Sequence, residues 1–134
     1  MLMELVQGGE LFTLLHNEEF IETVDESSVR FYSANAVLGL QHMHRFDFAY
    51  RDLKPENLLI SRDGYLKFVD FGFAKKIPFT VVNSDGVEEL HSRTFTLCGT
   101  LEYLAPEFVL NTGHDLAVDY CTSFPPDHEP RSSL

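Results

Sequence analysis

The chain has 134 residues, is 44% hydrophobic and 13% aromatic, and carries 10 basic against 21 acidic side chains for a formal net charge of −11. This is globular material of one-domain size rather than a disordered tail, and its acidity disfavours nucleic acid and anionic membrane as partners while suiting basic ones. No apolar run approaches a membrane span, and Met1-Leu2-Met3-Glu4 lacks the basic leader of a signal peptide, so a cytoplasmic protein is expected.

Gly8-Gly9 breaks the chain, and residues 10–16 then read as a short amphipathic helix followed by an acidic connection over 17–22. Thr23-Val24-Asp25-Glu26 fits a capping box, in which Thr hydroxyl and Glu carboxylate satisfy free helix-end amides. A helix is expected over about 24–44, with Val29, Tyr32, Ala36, Leu40 and Met43 forming a stripe that faces a core. His42 and His44 point to different sides of that helix and read as solvated or capping residues rather than metal ligands. Residues 51–57, polar and containing Pro55, form a loop. Strands are expected over 58–60 and 65–69, joined through Ser61-Arg62-Asp63-Gly64 with Asp63-Gly64 as a two-residue turn. Residues 72–103 show little periodicity, and Pro78, Asn83, Asp85 and Gly86 mark a long irregular loop. Cys98 and Cys121 are too far apart for a C-x-x-C pair and read as reduced thiols. Beyond them, Pro125, Pro126 and Pro130 exclude a regular helix.

The hairpin carries a geometric expectation. With a two-residue turn, Leu58 opposes Val69, Ile60 opposes Lys67 and, one step further, Asn57 opposes Asp70 at about 4.5–5.5 Å between Cα atoms. Asp52 lies on the preceding loop, with Lys54 between it and Asn57. Hard oxygen ligands with positions left open suit magnesium that is also bound to phosphate. Taken alone, the same residues equally describe a hairpin flanked by turn-forming Asn and Asp.

Three motifs extend this reading. Tyr50-Arg51-Asp52-Leu53-Lys54-Pro55-Glu56-Asn57 resembles the H-R-D-L-x-x-x-N catalytic loop of protein kinases, with Tyr in the His position; Asp70-Phe71-Gly72 matches D-F-G, and Ala105-Pro106-Glu107 matches A-P-E, in the expected order. The leading Tyr, the run Asp70-Phe71-Gly72-Phe73-Ala74-Lys75-Lys76 and Thr96-Leu97-Cys98-Gly99-Thr100 look like the cyclic-nucleotide-dependent kinases of the AGC group. Phe68-Val69 and Gly113-His114-Asp115 are most similar to cGMP-dependent protein kinase.

The resemblance implies an α+β protein kinase-like fold: a partial large (C-terminal) lobe, mainly helical with a short β-hairpin, over residues 1–120, then a divergent proline-rich tail over 121–134. It implies phosphoryl transfer from MgATP to Ser or Thr of basic protein substrates. Asp52 would orient the target hydroxyl, Lys54 would steady the transferring phosphoryl group, and Asn57 and Asp70 would hold magnesium. Met3, Glu4 and Val6 match the hinge of the adenine pocket, Leu59 its apolar floor, and Glu10 the acidic residue near the ribose. Glu10 and Glu56 would receive arginine of the substrate, and Thr100 would bridge Asp52 and Lys54. Thr96 falls at the activating phosphosite, with Arg51 as partner and Lys75 as a second.

Departures from the family pattern bear on activity. The 134 residues hold no Gly-rich loop and no V-A-I-K lysine, which implies an inactive polypeptide when tested alone. The family's central helix begins at Asp119-Tyr120 and is abandoned from Cys121, which suggests a truncated product, altered splicing or an incomplete gene. Leu101 stands where the group has Pro, and the 32 residues between Gly72 and Ala105 suggest an insertion over 78–92, expected to be solvated and mobile, with competition of its Glu88 and Glu89 for Arg51 or Lys75 as the alternative. A half-domain would also expose apolar surface along the stripe from Val29 to Met43. Cyclic-nucleotide-binding domains would lie outside this chain. The alternative is a non-catalytic binding module derived from a kinase, or an incomplete gene product.

Overall fold

The computed structural model describes residues 4–78 and 92–123. Met3, the interior of the expected insertion with Glu88 and Glu89, and the proline-bearing segment with Pro125, Pro126 and Pro130 lie outside the described residues. Helix α1, Leu11–Leu15, follows Glu10 at its N-cap. The acidic connection expected next is instead a helix, α2, Glu18–Thr23. Asn17 starts it by accepting a hydrogen bond from the Phe20 amide at 3.0 Å, and Glu18 and Glu19 in the first turn suit the positive end of the helix dipole.

Helix α3, Glu26–His44, begins later than the capping-box reading placed it. Thr23 is spent in the last turn of α2, where its hydroxyl donates to the Glu19 carbonyl at 2.8 Å. Asp25 caps α3 instead, accepting from the Ser28 amide at 2.9 Å and the Ser27 hydroxyl at 2.7 Å. Asp is as good an N-cap as Thr, and only one of the two was available.

The apolar stripe on α3 divides. Leu40 is fully buried in a core with Leu11, Tyr50, Leu53 and Leu58, and Tyr32 and Met43 pack against that core. Val29 is 53% exposed. With Tyr32 and Ala36 it lines an open, mainly apolar groove of about 380 Å³, bounded also by Leu15, Phe20 and Val24. The core end of α3 lies close to the hairpin: a Cβ added at Gly39 would meet the Phe68 ring at 2.4 Å.

The hairpin consists of β2, Leu58–Ile60, and β3, Leu66–Phe68. Its register is one residue off the expectation: Leu58 pairs with Phe68, Leu59 with Lys67 and Ile60 with Leu66. The turn has three residues, Arg62-Asp63-Gly64. Ser61 and Tyr65 close it through Ser61 N to Tyr65 O at 2.8 Å, and Gly64 N donates to Ser61 O at 2.9 Å. Gly64 takes φ +87°, the left-handed position that follows a type I turn in three-residue hairpin loops. Ser61, whose hydroxyl also bonds Asp63 and the Tyr65 carbonyl, favours this longer turn.

Two further short strands, β1 (Phe48–Ala49) and β4 (Lys75–Lys76), pair antiparallel and bracket the loop after α3. The chain before α1 lies along the outer edge of β2, with Gly8 N to Ile60 O and Ile60 N to Gly9 O both at 2.9 Å. A second cluster joins Ala105 and Phe108 of α4 (Pro106–Val109) and its N-cap to Val118 of α5, Val118–Ser123. Helix α5 continues through Cys121, where departure from helix was expected. Among the described residues no helix is long and apolar enough to cross a membrane.

Candidate active site

The loop between β1 and β2 is held from several sides. Tyr50, fully buried, stacks edge-on against Phe68 and Phe71 with centroids 5.3 and 5.6 Å apart, and its hydroxyl donates to the Val69 carbonyl at 2.5 Å. Burial, then the charges of Asp52 and Asp70, push its phenol well above the ordinary tyrosine range. Asp119 of α5, also fully buried, accepts from the backbone amides of Tyr50 at 2.8 Å and Arg51 at 2.7 Å, and from His44 Nε2 at 2.7 Å. Arg51 and Asp70, neither a glycine, take φ +68° and +55°. Left-handed backbone at such residues costs energy and persists where surrounding bonds over-determine it. Here those bonds flank Asp52 and end β3.

Asp52 is 3% exposed. Its Oδ1 accepts from the Thr100 hydroxyl at 2.9 Å, which in turn accepts from Lys54 Nζ at 2.7 Å; Lys54 also pairs with Asp52 Oδ2 at 3.2 Å. Asn57 Nδ2 donates to Asp52 Oδ2 and to the Asp52 carbonyl, each at 2.9 Å. The carboxylate is thereby fixed in orientation while an ammonium stands beside it. The 3-10 turn Pro55–Asn57 brings Asn57 back under Asp52.

Asp70 and Asn57 are not cross-strand partners. The one-residue slip sets Asn57 against Val69, whose amide donates to the Asn57 carbonyl at 3.0 Å. Asp70 lies two residues past the strand on the left-handed turn, exposed, with Oδ1 accepting from Gly72 N at 3.1 Å. It still acts on the Tyr50 phenol together with Asp52. The residues fit a hard cation in the chemistry of their donors: Asn57 commits its NH₂ to Asp52 and so offers an oxygen, and Asp70 offers a carboxylate. Among the described residues no group of three or more His, Cys, Asp or Glu forms a metal cage. An ion here would complete its shell with water and phosphate, the habit of magnesium.

The remaining predicted residues are spread around this centre. Glu4 is exposed and paired with Lys67, and Val6 is half-buried. Glu10 bridges to Leu59 across the edge of β2. Glu56 Oε2 is buried with no hydrogen-bond partner among the described residues, and its charge, after burial, raises the nearby Tyr103 phenol. Thr96 is exposed; its hydroxyl is 3.4 Å from Lys75 Nζ and 3.3 Å from the Thr94 hydroxyl. The Arg51 side chain goes elsewhere, donating from Nε to the Phe73 carbonyl at 2.8 Å and meeting His114 Nε2 at 3.3 Å through Nη1.

The model of the protein kinase domain matches residues 1–122. The chain belongs to the protein kinase family. Over 120 residues, the positions of this kinase chain are 47% identical to cGMP-dependent protein kinase, isozyme 2 forms cD5/T2, of Drosophila melanogaster, covering 90% of this chain and 11% of that protein. They are 48% identical over 120 residues to cGMP-dependent protein kinase egl-4 of Caenorhabditis elegans, with 90% and 14% covered. Identity is also 48%, over 121 residues, to the human cAMP-dependent protein kinase catalytic subunit PRKX, with 90% and 29% covered. The kinase chain thus spans under a third of the length of each of these relatives, which are AGC-group kinases. The mix of helices with small antiparallel sheets is that of part of a kinase fold.

Two site residues escaped the sequence reading. His44 was set aside as solvated or capping, yet its side chain is 11% exposed and bonded to Asp119, while His42 is exposed and stacks on Phe46. Asp119 was legible only as the start of a family helix. A lone Asp in the apolar run Leu116-Ala117-Val118 was the available signal, because a carboxylate there must find donors.

Proposed function

We propose that this chain is the catalytic segment of a serine/threonine protein kinase that transfers the γ-phosphoryl group of MgATP to hydroxyls in basic protein substrates. The triangle of Asp52, Thr100 and Lys54 carries the reading. Asp52 would accept a hydrogen bond from a substrate hydroxyl brought against its carboxylate and orient that oxygen for attack. Lys54, one residue beyond Leu53, lies against the same carboxylate and balances charge on the group being transferred. Asn57 and Asp70 are the residues that would hold magnesium, which when bound neutralises phosphate charge. The edge of β2 at Leu59, with Val6 in the segment before α1 and Glu10 bridged to Leu59, supports an adenine and ribose site.

The buried, unpartnered oxygen of Glu56 supports a basic substrate, since a buried carboxylate oxygen without a donor is costly and a guanidinium supplies two. Thr96 beside Lys75 supports an activating phosphate there, with Arg51 recruited to it from its present bonds. Regulation by cyclic nucleotide belongs to parts of a whole protein beyond these residues.

The 134 residues contain no Gly-rich loop, and we expect them to bind MgATP weakly and not to turn over. Equilibrium titration with a fluorescent ATP analogue tests the site. Binding should require magnesium and be lost in Asp70→Ala; magnesium-independent binding, or binding indifferent to Asp70, would defeat the assignment. Radiolabelled ATP with an arginine-rich serine peptide tests turnover, and label transfer abolished by Asp52→Asn would overturn the expectation of inactivity.

A further inference from the structure

His114, part of the Gly113-His114-Asp115 run, has no role in the reading above, yet it is 3% exposed and points at Arg51. Its backbone is paired twice with Thr94, each bond 2.9 Å, and its ring lies on Phe108 with centroids 4.1 Å apart. The ring cannot easily turn away. A guanidinium has donors only, so the nitrogen that faces Arg51 Nη1 must present a lone pair. That assigns the proton of the neutral ring to Nδ1.

We propose that His114 is a positioning residue: its neutral imidazole accepts from Arg51 and so holds the left-handed backbone that leads into Asp52, tying it to the segment that carries Thr96. The consequence for phosphoryl transfer rests on the function proposed above; the contact itself does not. Among the described residues the Arg51 guanidinium has two acceptors, the Phe73 carbonyl and His114, so removal of His114 leaves it held there by the Phe73 carbonyl. Thr94 stands two residues before Thr96, so a change at the phosphosite reaches Arg51 through the paired backbone of Thr94 and His114.

The contact is sensitive to acid. The ionisable groups that act on the ring are Arg51 from the catalytic loop, Lys75 from β4, Glu107 from α4 and Asp115 beside it. Burial, then Arg51, hold the ring below the ordinary value of 6.5, against the opposing pull of Glu107 and Asp115. With its folded pKa depressed, the unfolded chain takes up the proton first as pH falls. The bond is complete at neutral pH and is lost as pH drops through the folded pKa, when two cations would face each other.

Nitrogen-15 NMR of the full 134-residue chain reads this directly. At neutral pH the His114 signals should show a protonated Nδ1 and a bare Nε2; the ring should titrate below 6.5, and the Arg51 Nη1–H resonance should move with the same midpoint. His114→Gln keeps an acceptor that does not titrate, and should leave the Arg51 resonance in place and flat with pH. His114→Phe keeps the ring stacked on Phe108 and removes the acceptor; the Arg51 Nη1–H should lose its protection from exchange at every pH, while Nε–H stays bonded to the Phe73 carbonyl. A protonated Nε2 at neutral pH, titration at or above 6.5, or an Arg51 resonance unmoved along the wild-type titration overturns the proposal. Should His114→Phe not fold, the wild-type titration and His114→Gln decide the matter. Failure of the MgATP titration with these signals present removes the catalytic consequence and leaves the contact standing.

Discussion

Asp119 offers the sharpest test of how the catalytic loop is held. Replacement by Ala removes the acceptor for two backbone amides, Tyr50 at 2.8 Å and Arg51 at 2.7 Å, both on buried residues, and the partner of His44. Each buried donor left unpaired costs about 1–3 kcal/mol. Arg51 also loses the bond that holds its φ of +68°, so part of the loss is recovered as the loop relaxes. The balance is a destabilisation of roughly 3–5 kcal/mol, the range for breaking a buried pair from one side. Against a typical total of about 5–15 kcal/mol, that is a large share. Asp119→Asn should cost less, about 1–3 kcal/mol. Its oxygen still serves one amide, and a bare His44 Nε2 can accept from its NH₂, which leaves one backbone donor unpaired. Urea unfolding of the full chain by circular dichroism, with amide exchange at Tyr50 and Arg51, measures both. Equal effects of the two substitutions, or a loss under about 1 kcal/mol in Asp119→Ala with unchanged exchange, would refute the reasoning.

Other substitutions probe the surrounding packing. Gly39→Ala should destabilise despite the better helix propensity of Ala: the new Cβ would sit 2.4 Å from the Phe68 ring, which is wedged against Tyr50, and overpacking of about 1–3 kcal/mol exceeds a propensity gain of about 1 kcal/mol. A stabilised variant in thermal melts would show the ring free to move. Tyr50→Phe keeps the edge-on ring contacts and removes the bond to the Val69 carbonyl, for a loss of about 1 kcal/mol in urea; no loss would show that the carbonyl finds water. Asp25 has its pKa lowered from 3.8 to about 2 by its bonds to Ser28 and Ser27. A depressed carboxyl stabilises the fold above its unfolded value and loses that contribution as pH falls toward the folded one. Amide protection at Ser28 should therefore fall between about pH 4 and 2, and Asp25→Ala should abolish that step.

The chemistry was more legible than its scaffold, and particular residues show why. Asp52, Lys54 and Asn57 lie within six residues on one loop, so local chain geometry brings them together whatever surrounds it. The burial of Leu40 followed from periodicity, and the helix expected over 10–16 is α1, Leu11–Leu15, one residue shorter at each end because Glu10 and His16 are its caps. The hairpin register did not: Asp63-Gly64 serves a two-residue and a three-residue turn alike, and the bonds of Ser61 to Asp63 and Tyr65 select the latter. The capping box failed because two helices competed for Thr23, a conflict that no single window of residues displays.

By itself the order of residues determined the short-range features: the helix over α3, the two strands of the hairpin, the acidic composition, and the three motifs that mark a kinase. Only the tertiary structure decided that Asp119 holds the amides of Tyr50 and Arg51 from nearly seventy positions away, that His44 is its partner, and that His114 meets Arg51. Those bonds depend on where buried donors meet acceptors after the chain has packed. A carboxylate or imidazole that looks ordinary in the sequence acquires its role only when water is excluded and a particular backbone amide or guanidinium stands opposite it.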